Sequence, residues 1–234
     1  MRFLLIPILL TSSAFPDTYI KNSVIRNSII GDNLSHTQQT EQSSASSTTK
    51  HVIPHGKFSK IEIKFPAKLR IEQSSKPDIK LKMDKNFIDN ILFKVYNDTL
   101  HIYTDSSINT RLQTEIVVHT QLLNMLTIGG TTYADIQGFN STNFKLRASG
   151  TSKVTFSSGS ITNLTLNSEG TSKINLEQIR VKYASIISKG TSKTTINVSE
   201  DLNVNLSGIS KVRYFGNPKI QKRIKGLGKL IKMN

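Results

Sequence analysis

From Phe58 onward the chain alternates apolar and polar residues with a period of two. Phe58, Ile61, Ile63 and Phe65, then Leu69 and Ile71, then Ile79, Leu81 and Met83 stand among lysine, glutamate and arginine neighbours. Ile91, Phe93 and Val95 follow, then Leu100 and Ile102, then Ile116 and Val118. Phe65-Pro66, Ser74 to Asp78, Asn97-Asp98 and Asp105-Ser106-Ser107 separate these runs as turn-forming groups. Short strands with one buried face are predicted for each run. One helical turn is predicted between Asp84 and Asn90, and no window carries a 3.6-residue period, which excludes helical solenoids.

A longer period is superposed on the second half. Gly150-Thr151-Ser152-Lys153-Val154 returns as Gly170-Thr171-Ser172-Lys173-Ile174, Gly190-Thr191-Ser192-Lys193-Thr194 and Gly208-Ile209-Ser210-Lys211-Val212, after a looser copy at Gly130-Thr131-Thr132-Tyr133-Ala134. Successive glycines are 20, 20, 20 and 18 residues apart. A fixed period of this size marks a stacked array whose units cannot bury their apolar faces alone.

Aligning the copies on glycine gives the predicted core. Leu126, Leu146, Leu166, Ile186 and Val204 stand four residues before it, and Ile128, Ala148, Ser168, Ser188 and Leu206 two before. Ala134, Val154, Ile174, Thr194 and Val212 stand four after it, and Ile136, Phe156, Leu176, Ile196 and Tyr214 six after. Even offsets on both sides mean two strands meeting at a bend, and a coil of this length predicts an all-β fold, a parallel β-solenoid. Hexapeptide β-helices fit less well, because the glycines do not recur every six residues. Glycine supplies the bend, and the Thr and Ser after it hydrogen-bond the turn and stack as hydroxyl ladders.

The first residues bear on compartment. Met1-Arg2 is basic, Phe3 to Leu10 is apolar, and Ser12-Ser13-Ala14 places small residues before a cut after Ala14. Residues 1–14 are therefore predicted to be a signal peptide and the protein to be exported: periplasmic, associated with the outer envelope, or secreted. Residues 15–54, rich in Ser, Thr and Gln from Ser35 to Lys50, are predicted to be a flexible leader. The solenoid domain is predicted over 55–234, with a first β part at 55–120 and the repeats at 121–234. No later segment approaches the roughly 18 apolar residues of a membrane helix.

Charge narrows the partners. The net charge is +15 and the pI about 10.0, which points to anionic glycan, lipopolysaccharide or an anionic membrane surface. Nucleic acid is not expected, since the chain is read as exported and shows no nucleic-acid-binding motif. The odd-offset lysines should face outward, so Lys153, Lys173, Lys193 and Lys211, extended by Lys229, form a candidate basic ligand-binding ladder. The alternative is a solvated face that limits aggregation. After Asp201 there is no acidic residue, while eight Lys and Arg follow, a stretch suited to anionic headgroups or to capping the last coil.

Catalysis has little to work with. Polysaccharide-active β-helices need clustered carboxylates, whereas here the 16 acidic residues are scattered and Glu169 and Glu177 are the nearest in the repeats. His101 and His119 lack metal-ligand spacing, and no nucleophile-elbow, Walker or dinucleotide fingerprint is present. No catalytic residue, cofactor or metal is predicted. With zero cysteines, disulfides, thiolate metal sites and an acylated-cysteine anchor are excluded from the expectation.

The opening Phe58-Ser59-Lys60-Ile61-Glu62-Ile63, then Pro66, Leu69, Ile71 and Leu100-His101-Ile102, precede the Gly-Thr-Ser-Lys repeats. Tyr214-Phe215-Gly216-Asn217-Pro218 and Gly226-Leu227-Gly228-Lys229 close the series. Over residues 55–234 this order resembles the auto-transporter adhesin head GIN domain family of exported bacterial proteins. The resemblance implies a two-part β-helical fold, export and no established catalytic activity, although the lipoprotein cysteine of many relatives is missing. The expectation is an exported, non-catalytic binding or adhesion module of the bacterial envelope. A polysaccharide-active β-helix enzyme and a structural envelope protein are the alternatives.

Overall fold

The computed structural model describes residues 46–234, so the predicted signal peptide and most of the predicted leader lie outside the described residues. Its strands are β1 (Ser47–Val52), β2 (Lys60–Ile63), β3 (Ala67–Gln73), β4 (Asp78–Asp84), β5 (Ile91–Tyr96), β6 (Thr99–Thr104), β7 (Glu115–Thr120) and β8 (Met125–Ile128). The repeats contribute β9 (Thr132–Ala148), β10 (Lys153–Ser168), β11 (Lys173–Ser188), β12 (Lys193–Leu206), β13 (Lys211–Phe215), β14 (Lys219–Ile224) and β15 (Lys229–Lys232). One 3-10 turn, Ile88–Asn90, stands where a helical turn is predicted.

Each repeat is one coil with two faces. The residues after the glycine form the first face, a bend follows, and the second half of the same long strand forms the second face before the next glycine. On the first face the order is β1-β4-β7-β3-β9-β10-β11-β12-β13-β15. The second face continues through β5, β6, β2, β8, the later halves of β9 to β12, and β14. All coil-to-coil pairs are parallel, and antiparallel β4 with β1, and β5, cover the first end.

Chain order and spatial order differ at that end. β2 and β3 form one coil, yet β6 and β7 pair with its outer side while β8 and β9 pair with its inner side. The chain therefore lays down β2–β3, steps outward to β6–β7, and returns across them to start the repeats. No periodicity in the sequence announces that return. β1 also lies within the stretch read as flexible leader: its alternation is weak, but backbone pairing with β4 from Ser47 to Val52 places it in the sheet.

The predicted inward columns are all buried, from Leu126 to Val204 before the glycine and from Ile136 to Tyr214 after it. Side chains alternate across a strand, so the registered coils stack like on like into one continuous core. The bend is built by backbone. Thr171 N donates to Gly150 O at 2.9 Å and Thr191 N to Gly170 O at 2.9 Å, so each bend hangs from the one before. At Gly170 φ is +78°, and a Cβ would sit 2.8 Å from Gly150 O, so both the dihedral and the close approach require glycine.

Ser152, Ser172, Ser192 and Ser210, two residues after each glycine, are buried. Ser168 and Ser188 hydroxyls bond at 2.7 Å, Ser188 pairs with Ser192, and Ser210 Oγ donates to Ser207 O at 2.8 Å. Ser168, Ser188, Ser192 and Ser210 thus form an internal hydroxyl chain that ends on the last bend, whereas the buried hydroxyls of Ser152 and Ser172 have no hydrogen-bond partner among the described residues. The shorter last interval is absorbed at the second bend, where the β11–β12 register moves from Leu176↔Ile196 to Val181↔Val198 and Tyr183↔Asp201. The first-face strand that follows the glycine is therefore left in step.

Candidate functional site

On the first face Lys153 pairs with Lys173, Lys173 with Lys193, Lys193 with Lys211, and Lys211 with Lys229. All five predicted ladder residues thus fall into one unbroken row, one lysine per coil, about 4.8 Å apart along the solenoid. Their backbones are fixed as well. Lys173 N donates to Ser152 O, Lys193 N to Ser172 O and Lys211 N to Ser192 O, each at 2.8 Å. Among the described residues no carboxylate lies within 4.0 Å of any of the five ammonium groups.

Such a row concentrates positive potential. Lys193, at its centre, is half-buried, and its pKa is pushed down first by the charge of Arg213, then by burial and by the charges of Lys173 and Lys211. An anion placed over the row relieves that repulsion. The parallel outward row runs Arg70, Asp135, Thr155, Asn175, Thr195, Arg213, so hydrogen-bonding side chains flank the lysines on one side.

Three cations of this face escape the repeat pattern. Lys68 continues the lysine row beyond Tyr133, which occupies the lysine slot in the looser first copy. Arg70 and Arg213 sit in the neighbouring row. Arg213 is legible as the residue two after Lys211, while Lys68 and Arg70 join the face through the out-of-order pairing of β3 with β9.

The acidic and histidine residues are dispersed. Glu169 pairs with Lys189 at 3.4 Å beside the glycine bend, and Glu177 is exposed at the other bend. His101 faces Glu62 at 3.3 Å, and His119 lies between Glu72 at 3.2 Å and Asp78 at 3.7 Å. A hydrogen bond from Lys64 holds the Glu62 carboxyl below the usual range, with burial opposing it. Among the described residues no group of three or more His, Asp or Glu side chains is placed to hold a metal ion.

The fold defines a parallel β-solenoid of coils about 20 residues apart, with Lys153, Lys173, Lys193, Lys211 and Lys229 in one register row. Residues 57–218 match the family described as "Putative auto-transporter adhesin, head GIN domain", and the chain belongs to that family. Among solved structures it is similar to one described as a "putative adhesin" from Bacteroides fragilis, at TM-score 0.67 and 21% identity over 81% of this chain and 98% of that one. A second "putative adhesin", from Parabacteroides merdae, gives TM-score 0.58 and 15% identity over 82% and 98%. A "Putative lipid binding protein" from Parabacteroides distasonis gives TM-score 0.53 and 17% identity over 82% and 98%. No curated protein matches the chain. The family description names adhesion rather than a reaction and suggests an exported protein. Among the described residues no helix is long and apolar enough to cross a membrane.

Proposed function

We propose that the chain is a non-catalytic adhesion module, exported to the envelope or beyond it, that binds an extended anionic glycan along its lysine face. One observation carries this reading: five lysines stand in unbroken register without a carboxylate partner among the described residues. A surface that merely needed solubility would gain more from mixed signs, which neutralise neighbours across strands. A polymer of uronate or sulfated sugars repeats its charge along a line, as the coils do. The ladder therefore reads charge spacing rather than one ligand shape.

The test replaces Lys153, Lys173, Lys193 and Lys211 together by alanine and measures binding to polygalacturonate and heparin. Loss of the four charge contacts should weaken binding roughly tenfold, with a flatter salt dependence. Unchanged binding would sink the proposal.

The last coil supports a second reading. Ile220, Ile224 and Leu227 are exposed among Lys219, Lys222, Arg223 and Lys225, a pattern suited to anionic headgroups such as lipopolysaccharide phosphates or acidic lipids. Cosedimentation with vesicles containing phosphatidylglycerol, against phosphatidylcholine alone, separates the two readings. Retention by acidic vesicles that survives the four-lysine substitution would favour the last coil over the ladder.

A further inference from the structure

The lysine row is interrupted once, by an aromatic ring. Tyr133 stands in register between Lys68 and Lys153, and it is 44% exposed where its neighbours in the row are cations. It lines a cleft of about 320 Å³ together with Lys68, Arg70, Gln113, Asp135 and Lys153. Gln113 comes from the connection between β6 and β7, so the out-of-order first coils supply one wall and the repeats supply the other. A recess of this size lies at the lower end of small-ligand sites and accommodates a sugar ring or two.

The groups around the cleft are not equivalent. Lys68 leans on Glu115 at 3.8 Å and Arg70 on Glu72 at 3.9 Å, while Lys153 has no carboxylate within 4.0 Å among the described residues. Both carboxylate oxygens of Asp135 are already engaged, one by Gln137 Nε2 at 2.6 Å and the other by Ser157 Oγ. Counting Glu115 and Glu72 with Asp135, three acids stand against the three cations around the cleft. Lys153 is its uncommitted charge, Gln113 its neutral hydrogen-bonding group, and Tyr133 its apolar floor with a polar tip.

We propose that this cleft is the end subsite of the face and seats one pyranose ring of an anionic glycan. The C–H face of the sugar stacks on Tyr133, its carboxylate or sulfate meets Lys153, and a hydroxyl reaches Gln113. The rest of the polymer continues over Lys173, Lys193 and Lys211. A ring that stacks on an aromatic has a defined position and orientation, so this subsite sets the register in which the remaining charges meet the ladder. The inference rests on the reading of the ladder as a glycan-binding face.

The test titrates the 234-residue chain with hexasaccharides of galacturonate and of heparin, and with neutral maltohexaose, by calorimetry. Wild type should bind an anionic hexasaccharide and not maltohexaose, and the stronger of the two anionic arms identifies carboxylate or sulfate as the charge recognised. Tyr133→Phe should bind like wild type, and Tyr133→Ala about tenfold more weakly with its salt dependence unchanged. Tyr133→Lys completes the cationic row and presents an outward residue that the repeats already tolerate. It should also bind more weakly, despite its added charge. Equal or tighter binding by Tyr133→Lys or Tyr133→Ala, or equal binding of maltohexaose, overturns the subsite while leaving the ladder standing. Failure of wild type to bind either anionic hexasaccharide overturns the ladder reading itself.

Discussion

Lys222 stands in register with Val204, at the inward position that the preceding coils fill with Leu126, Leu146, Leu166, Ile186 and Val204 itself. Lys232 likewise follows Tyr214 in the column of Ile136, Phe156, Leu176 and Ile196, and its ammonium donates to Asn217 Oδ1 at 2.7 Å. Both lysines are exposed, and charges at these column positions of the terminal strands make the edge a poor template for a further strand. Replacing Lys222 by Val and Lys232 by Leu should therefore cause concentration-dependent association, read as a rise in mass by light scattering. An unchanged mass across a wide concentration range would refute the capping role.

Gly159 sits at the second bend with φ of +127°, and a Cβ there would lie 1.9 Å from Phe139 O. Backbone cannot yield as a flexible side chain can. Gly159→Ala should cost at least about 3 kcal/mol, more than Gly170→Ala, where the nearest backbone oxygen is 2.8 Å away. Urea denaturation of the two variants orders them, and the reverse order would show that the glycine bend, not the second bend, is the tighter joint.

Asp98, at the Asn97-Asp98 turn of the β5–β6 hairpin, accepts from Ser59 N at 2.8 Å and Ser59 Oγ at 2.7 Å, with Lys60 at 3.3 Å. The Ser59 hydroxyl first, then Lys60 and the Ser59 N–H, hold its carboxyl below the ordinary value against the opposing effect of burial. A lowered folded value stabilises above the unfolded pKa of about 3.9, and that gain is lost as pH falls through the folded value. Asp98→Asn should cost about 1 kcal/mol at pH 7, reduced by the partial exposure of the group, and less at pH 3. An equal cost at both pH values would exclude the charge as the cause.

Lys193 carries the opposite sign. Neighbouring cations depress its folded pKa, so the repulsion is fully present below that value and is relieved as pH rises toward the unfolded value of about 10.4. Lys193→Gln should raise the melting temperature at low ionic strength, and the gain should fade in high salt. A gain independent of salt would point to packing instead.

The repeats made most of this architecture readable. Because every coil is in register with the next, aligning the glycines also aligned the buried columns, and the odd offset placed Lys153 to Lys229 outside. The first coils were readable only as separate strands. Their alternation reports which side of β2, β3, β6 and β7 is buried, but the pairing of β7 with β3 and of β3 with β9 depends on a chain that steps out and returns. Lys68 therefore could not be assigned to the ladder from spacing, and neither could the Gln113 wall of the Tyr133 cleft. Tyr133 itself was visible as an exception in the repeat phrase, without the opposing wall that gives the exception meaning.

The near-identity of the bends makes coil number a free variable. Excising Thr171 to Gly190 would join Glu169-Gly170 to Thr191-Ser192-Lys193 and restore the same phrase across the junction. Both ends of the molecule, with their different closures, would be left as they are. A gene that gains or loses such a segment lengthens or shortens the row by one cation at a time, so the length of the row can be adjusted in whole steps without redesigning a single contact.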